Sequence, residues 1–239
     1  VGRITETSFD FSPAGVKASV EASLSRLGTD HLDLIQCHDI EFADLHQIVE
    51  ETIPALRELQ RAGAVRFVGV TGYPLGALAD VARRTRLDTI LSYCRCSLLD
   101  QALSVWAPAF AALNVGVMSA SPLAMGALTQ HGAPAWHPAP ASVLECCRQA
   151  AELCAQRGGD LARLAMQVAL ANPDAATTFV GSAKPENVER ALRWALEPVD
   201  EALRHDVDAI LAPAKGTTWP SGRAENFLEP GQPRAEPIG

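Results

Sequence analysis

The 239-residue sequence contains no apolar run of the about 18 to 20 residues that a membrane-spanning helix needs. Its N-terminus lacks the basic segment followed by an apolar stretch that marks a secretory signal peptide. Aromatic residues make up only 5% of the chain, and 20 basic against 28 acidic residues give a net charge of −8. Nucleic-acid binding requires clustered basic residues, and the sequence shows no such cluster. Because 48% of the residues are hydrophobic, the chain is not disordered. We expect a globular cytoplasmic protein that binds neither membranes nor nucleic acid.

The cysteines are not spaced as metal ligands. Three fall in apolar, strand-like runs and three in one helical pattern, without pairs at two-residue gaps. They are Cys37, Cys94, Cys96, Cys146, Cys147 and Cys154. We expect free thiols in a reducing compartment and no metal site.

Short apolar runs alternate with longer amphipathic segments, which is typical of repeated β-α units around a parallel sheet. Five strands are predicted, at residues 32–37, 65–71, 89–94, 115–119 and 177–181. Helices are predicted at residues 13–27, 48–63, 75–85, 101–113, 142–156, 160–171, 185–195 and 199–211. A closed (β/α)8 barrel needs eight strands, whereas a doubly wound sheet usually carries a Gly-rich nucleotide turn, which this sequence lacks. Periodicity alone is therefore compatible with a barrel fragment and with an open sheet.

Polar residues directly after a strand of a parallel α/β fold point into the functional site. His38 follows the first predicted strand, and an imidazole there can donate to, or exchange protons with, a polarised carbonyl. The alternative is a strand-end histidine bonded to Asp39 or to a backbone carbonyl. The remaining histidines are expected to be solvated, and they are His31, His46, His131, His137 and His205.

The last predicted strand leads through residues 181–187 into a helix. The free N–H groups of a helix N-terminus favour an anion, and Lys184 adds positive charge. An ordinary capped turn is equally compatible with these residues.

Five segments, taken together and in this order, carry a family resemblance. They are residues 9–42 (FDFSPAGVKASVEASLSRLGTDHLDLIQCHDIEF), 66–75 (RFVGVTGYPL), 91–100 (LSYCRCSLLD), 119–129 (SASPLAMGALT) and 218–222 (TWPSG). The sequence resembles the aldo-keto reductase superfamily, and within it the L-galactose dehydrogenase-like branch. This resemblance implies an incomplete (β/α)8 TIM barrel, with about five of eight strands, in residues 1–212 and an irregular tail in residues 213–239.

The resemblance also implies an NAD- or NADP-dependent oxidoreductase that transfers a hydride between the nicotinamide and a sugar or a small aldehyde or ketone. His38 matches the family's catalytic histidine by position. Thr71 and Ser92 would lie near the nicotinamide amide. The remaining cofactor-binding positions are Ser121, Leu123 and Met125 at the pyrophosphate, and Gly181, Ser182, Lys184 and Asn187 at the adenosine end.

Several residues depart from the family pattern. The aromatic residue that stacks on the nicotinamide is replaced by Ala120, and the amide-binding Gln and Asn by Ser92 and Gly72. The Glu-Asn pair that holds the adenine is replaced by Arg190 and Ala191. The usual basic residues for the 2′-phosphate of NADP are also missing, and Lys184 substitutes for them only in part. NAD is therefore at least as compatible with this sequence as NADP.

The family's catalytic tetrad consists of Asp, Tyr, Lys and His, and the first three precede the segment that matches residues 1–3. We therefore expect the chain to be a fragment of an enzyme and to be inactive alone, because His38 cannot replace the proton-donating tyrosine. The open sheet edges are expected to favour association. The alternative is a catalytically inactive nucleotide-binding or interaction module. The substrate and the oligomeric state are left open.

Overall fold

The computed structural model describes residues 9–227, which form alternating strands and helices. The strands are β1 (Leu32–Cys37), β2 (Val65–Gly72), β3 (Thr89–Tyr93), β4 (Gly116–Ala120) and β5 (Thr177–Phe179). The α-helices are α1 (Pro13–Leu27), α2 (Leu45–Gln47), α3 (Ile53–Arg61), α4 (Leu75–Arg84), α5 (Ala102–Ala112), α6 (Ala141–Gln156), α7 (Leu161–Leu170), α8 (Pro185–Ala195) and α9 (Glu201–Leu211). A π-helical segment, Ile48–Thr52, connects α2 to α3.

Local signals in the sequence explain where several elements begin and end. The Ser12 hydroxyl accepts a hydrogen bond from the Gly15 N–H at 3.1 Å, and Pro13 opens α1. Gly28 ends the same helix with a left-handed φ of 65°. The predicted bounds of β1 and α8 are confirmed, and β2, β3 and β4 deviate by one residue. Strand β5 ends two residues early, because its last pairing position, Phe179, faces the last residue of β4.

The strands follow one another in the sheet in the order of the chain, β1-β2-β3-β4-β5. Strand β1 pairs in parallel with β2, from Leu32 opposite Val65 to Cys37 opposite Val70, and β4 pairs in parallel with β5. A doubly wound sheet reverses its strand order at a switch point, whereas the strands of a (β/α)8 barrel succeed one another without reversal. The described part of the chain therefore has the strand order of an incomplete barrel wall.

The chain divides into two compact units. Unit 1 comprises Val1–Leu91, Ala109–Gly116 and Ser221–Gly239, and unit 2 comprises Ser92–Pro108 and Val117–Pro220. The core of unit 1 includes fully buried side chains of Ile40, Ile48, Val68, Val70 and Leu78. The core of unit 2 includes Leu103, Leu128, Leu161, Val207 and Leu211.

Of the predicted tail, residues 213–220 belong to unit 2 and residues 221–227 to unit 1. Of this tail, residues 213–227 are described, and they contain the short 3-10 turn Ala224–Asn226. The Asn226 amide donates to the carbonyl oxygens of Glu41 and Ala43 at 2.9 and 2.7 Å. The tail boundary at residue 212 stays a prediction, and residues 228–239 lie outside the described residues. No helix within residues 9–227 is both long and apolar enough to cross a bilayer.

Candidate functional site

His38 lies directly after β1, and its side chain is 75% exposed. Its Nδ1 lies 3.2 Å from Oδ2 of Asp39. This hydrogen bond, helped by the negative charges of Asp39 and Glu41, raises the pKa of His38, while partial burial opposes the shift. Because Nδ1 faces Asp39, the Nε2 atom is the ring nitrogen left for a ligand.

Thr71, at the end of β2, holds Asp39 in place. The Asp39 N–H donates to the Thr71 Oγ1 at 2.9 Å, and the Thr71 hydroxyl donates to Oδ1 of Asp39 at 3.3 Å. Asp39 adopts a left-handed φ of 51°, which is uncommon for residues other than glycine and is adopted most readily by Asn, Asp and His. Since the only hydroxyl proton of Thr71 is used, this side chain can offer a carboxamide only an acceptor.

Ser92 lies in β3, and its side chain is fully buried. Within residues 9–227 its hydroxyl has no hydrogen-bond partner. A buried polar group without a partner is unfavourable, so a polar group supplied by a ligand would stabilise this position. The role of Ser92 near the nicotinamide carboxamide stays a prediction, because its hydroxyl is fully covered in this structure.

A strained loop follows β4. Ser121, Ala124 and Met125 have left-handed φ values of 54°, 46° and 51°, although none of them is glycine. The Ser121 N–H donates to the carbonyl oxygen of Phe179 at 3.3 Å, which ties the loop to the end of β5. Backbone strain of this kind persists where the surrounding structure enforces it, and it clusters at ligand sites.

A cavity of about 200 Å³ in unit 2 gathers four of the predicted cofactor residues. These are Leu123 from the strained loop, and Gly181, Ser182 and Asn187 from the turn after β5 and the start of α8. The remaining lining residues are Thr129, Gln130, His131, Asp160, Ala162, Met166, Val180, Val188, Arg190, Ala191 and Trp194. Ser121, Met125 and Lys184 are not part of this lining.

Polar groups at the start of α8 form a connected chain beside the cavity. The Ser182 hydroxyl accepts from the Lys184 N–H at 3.1 Å and from the Asn187 amide at 2.9 Å. The Asn187 carbonyl oxygen accepts from Arg190 at 2.7 Å, and the Arg190 guanidinium lies 5.1 Å from the Trp194 ring centroid. A cationic side chain and a helix N-terminus both favour an anionic ligand.

The turn after β5 leaves its backbone accessible. A Cβ atom built on Gly181 would meet no atom within 4 Å, so a ligand can approach the main chain there. Lys184 is exposed and caps α8 with its backbone.

Sequence reasoning missed most of the other lining residues, among them His131, Asp160 and Trp194. Asp160 caps α7 through the Ala162 N–H at 2.8 Å. No motif in the sequence signals these residues, because helix α7 and the 129–131 segment reach the cavity only through tertiary packing.

The prediction that His137 is solvated is wrong. This side chain is only 8% exposed, because the loop folds it against Trp219 with the ring centroids 5.3 Å apart. The other histidines predicted to be solvated, His31, His46, His131 and His205, are exposed.

The buried cysteine thiols Cys37 and Cys94 are unsuited to nucleophilic chemistry. All six cysteines are free in the structure, and burial raises the pKa of Cys37 and of Cys94 to about 12. Within residues 9–227, no three His, Cys, Asp or Glu side chains gather as a metal site would require.

Comparison with protein families matches residues 1–212 to the Aldo/keto reductase family. Over 232 residues the chain is 42% identical to L-galactose dehydrogenase of Arabidopsis thaliana, covering 94% of this chain and 72% of that protein. It is 34% identical to D-arabinose 1-dehydrogenase of Saccharomyces cerevisiae, covering 71% of this chain and 53% of that protein. It is 28% identical to D-threo-aldose 1-dehydrogenase of a Pseudomonas species, covering 82% and 61%.

Solved structures confirm the fold. The holo form of an aldo-keto reductase from Bacillus halodurans matches with a TM-score of 0.70 at 24% identity, covering 95% of this chain and 73% of that structure. The fold is therefore an incomplete (β/α)8 barrel of the aldo-keto reductase type. The chain spans between about half and three quarters of the length of these proteins.

Proposed function

This chain belongs to the aldo/keto reductase family. We therefore propose that it functions in an NAD(P)-dependent oxidoreductase that acts on a sugar or a small aldehyde or ketone. An aldose is the favoured substrate class, since three similar proteins are named as dehydrogenases of L-galactose, D-arabinose and D-threo-aldoses. The observation that carries the proposal is the cavity of unit 2, which is lined by four residues that the family resemblance assigns to cofactor binding.

The cavity suits the adenosine end of a dinucleotide. The accessible backbone at Gly181 allows close approach, and the Arg190 guanidinium provides positive charge for a phosphate. Trp194 adds an aromatic face for a ring to pack against. NAD and NADP both stay open in this proposal: Lys184, outside the lining but exposed at the start of α8, is a basic residue there that could face a 2′-phosphate.

In this proposal the bound nicotinamide cofactor supplies the hydride donor or acceptor. His38 binds the reacting oxygen of the substrate through Nε2, and Asp39 orients its ring from the other side through Nδ1. Thr71 keeps the Asp39 carboxylate in that position. We also propose a cytoplasmic location, which the six free cysteines support.

Dinucleotide binding is the first test. The 239-residue chain is titrated with NADH and NADPH, with quenching of tryptophan fluorescence as the signal, because Trp194 lines the cavity. Gly181→Leu adds a bulky side chain at a cavity-lining position where a Cβ atom meets nothing within 4 Å, so we expect it to obstruct the cavity and weaken the affinity at least tenfold. The control, Ala209→Leu, changes an exposed position on α9 and should bind as the wild type does. No binding by the wild type would refute the proposal.

Turnover is then measured as NADH formation from NAD with L-galactose and D-arabinose. Oxidation of either aldose, reduced at least tenfold by His38→Ala, supports the dehydrogenase. Binding of dinucleotide without any turnover agrees with the expectation that this chain is inactive alone, and it agrees equally with the inactive nucleotide-binding module.

A further inference from the structure

We infer that His137 is a positioning residue for the dinucleotide site, which it serves by holding the carbonyl of Ala124 in the strained loop after β4. The inference rests on the proposed function, because it assumes that the cavity beside this loop takes NAD(P). His137 is not part of the cavity lining, so its effect would be transmitted through the loop.

Both ring nitrogens of His137 are engaged. Its Nε2 lies 3.0 Å from the carbonyl oxygen of Ala124, and its Nδ1 lies 3.1 Å from the Ala139 backbone nitrogen. A backbone N–H can only donate, so Nδ1 accepts and the ring proton sits on Nε2, where it donates to Ala124. The edge contact with Trp219 and the stacked Trp136, whose centroid lies 6.3 Å away, fix the plane of the ring.

The loop needs such a restraint because its backbone conformation is energetically unfavourable by itself. Ala124 and Met125 are consecutive left-handed residues, a conformation in which the Cβ crowds the following carbonyl. The turn makes short-range bonds of its own, with the N–H groups of Gly126 and Leu128 donating to the Leu123 carbonyl oxygen at 3.0 and 3.1 Å. The bond from His137 is a contact from outside this turn, and it acts on the residue where the left-handed pair begins.

The restrained loop forms one wall of the cavity. Leu123 and Thr129 both line it, while Ala124 between them is fully buried and faces away from solvent. The Thr129 hydroxyl donates to the Gly126 carbonyl oxygen at 2.8 Å, which links the two lining residues through the turn. A rotation of the Ala124 peptide would therefore move the Leu123 wall.

The test compares NADH affinity with thermal stability in the 239-residue chain. His137→Ala removes the donor to Ala124, and we expect at least a tenfold weaker affinity. His137→Gln retains a side-chain N–H that can reach the same carbonyl, so its affinity should stay within threefold of the wild type. Leu211→Ala, a fully buried position on α9 of the same unit, controls for destabilisation, and it should lower the melting temperature without weakening NADH binding.

Three results would overturn the inference: NADH affinity of His137→Ala equal to that of the wild type, a loss no larger than in Leu211→Ala, or equal losses for the Gln and Ala variants. Each of them requires that the wild type binds NADH. A wild-type chain that does not bind NADH refutes the proposed function itself, and the two failures are thereby distinguished.

Discussion

Unit 1 contains two pairs of consecutive histidine and aspartate residues, Asp30–His31 and His38–Asp39, and the two carboxylates differ in how firmly they are held. In each pair the aspartate carboxylate accepts a hydrogen bond from the histidine ring, which raises the pKa of His31 beside Asp30 and of His38 beside Asp39. Asp30 is 98% exposed, whereas Asp39 is 20% exposed and bonded to Thr71. Only in the second pair is the carboxylate held in a fixed position beside the histidine, and this pair directly follows the end of β1.

Asp39→Asn is expected to lower the pKa of His38, because it removes both the carboxylate hydrogen bond and its charge. Histidine proton resonances followed by NMR across pH 5 to 9 measure this directly, and Asp30→Asn should move His31 alone. A raised pKa in the folded state stabilises the protein below the unfolded pKa of about 6.5, and this contribution disappears as pH rises through the folded value. An unchanged His38 titration in Asp39→Asn would contradict this interpretation.

Gly222 lies where the tail crosses Glu41 at close range. Its φ is +74°, and a Cβ atom there would overlap the main-chain carbonyl of Glu41. The Arg223 N–H donates to that same carbonyl at 2.9 Å, and the Ser221 hydroxyl donates to the Glu41 carboxylate at 3.1 Å. The glycine is needed for this approach, not only for its left-handed backbone.

Gly222→Ala should therefore lower the free energy of unfolding more than a glycine substitution of similar φ in open space. Gly63→Ala, at φ +82° with no atom within 4 Å of its Cβ, is the matched control in unit 1. The control should lose about 1–2 kcal/mol from backbone strain. Gly222→Ala should lose about 1–3 kcal/mol more from overpacking. Urea unfolding measures both, and equal losses would show that the tail does not pack on Glu41.

At the scale of elements, a buried ion pair shapes the segment between β3 and α5. The Arg95 Nε lies 2.8 Å from Oδ2 of Asp100, with the two side chains only 2% and 6% exposed. The other carboxylate oxygen of Asp100 accepts from the Ala102 N–H at 2.7 Å and so caps α5. The Leu103 N–H donates to the Arg95 carbonyl oxygen at 3.0 Å. One carboxylate thus sets both the loop and the start of the helix.

Asp100→Asn keeps a side-chain oxygen at the start of α5 but removes the negative charge that lies 2.8 Å from the Arg95 Nε. Loss of one partner from a buried ion pair costs about 3–5 kcal/mol, which we expect in the free energy of unfolding. Glu145→Gln removes a carboxylate from an exposed pair with Arg148 and should have little effect. Similar unfolding curves for the two variants would show that the buried pair contributes no more to the free energy of unfolding than the exposed pair does.

At the scale of the whole molecule, unit 2 exposes an apolar surface beside its last strand. Val188 and Leu192 on α8, and Leu196 directly after its end, recur every four residues and are 40%, 65% and 90% exposed. On and after β5, Phe179 and Val180 are 49% and 37% exposed. Apolar surfaces of this kind mark interaction sites or favour self-association.

The chain is therefore expected to associate with increasing concentration. Sedimentation velocity between micromolar and hundred-micromolar concentrations should show a rising sedimentation coefficient, and Leu192→Glu combined with Leu196→Glu should suppress it. Val105→Glu, at a solitary residue that is 75% exposed on α5, is the control and should leave association unchanged. A monomer at all concentrations would contradict the prediction.

The sequence by itself determined the elements whose ends are set by neighbouring residues. Ser12, Pro13 and Gly28 bound α1 through caps that lie within a few residues of one another, and the apolar run of β1 ends at its predicted residue. It also determined that His38 follows a strand, because the period of the pattern changes there. These signals are local, so they can be recognised in the sequence without knowledge of the fold.

The tertiary structure decided which distant residues meet. Leu123 and Asn187 line one cavity although 64 residues separate them (187 − 123), and Glu41 accepts from Ser221 across 180 residues. His137 is buried because it has a partner at Ala124 and an aromatic neighbour at Trp219, which its own flanking residues do not reveal. Such contacts form only when burial of the core brings distant segments together, and the local periodicity of the sequence does not predict them.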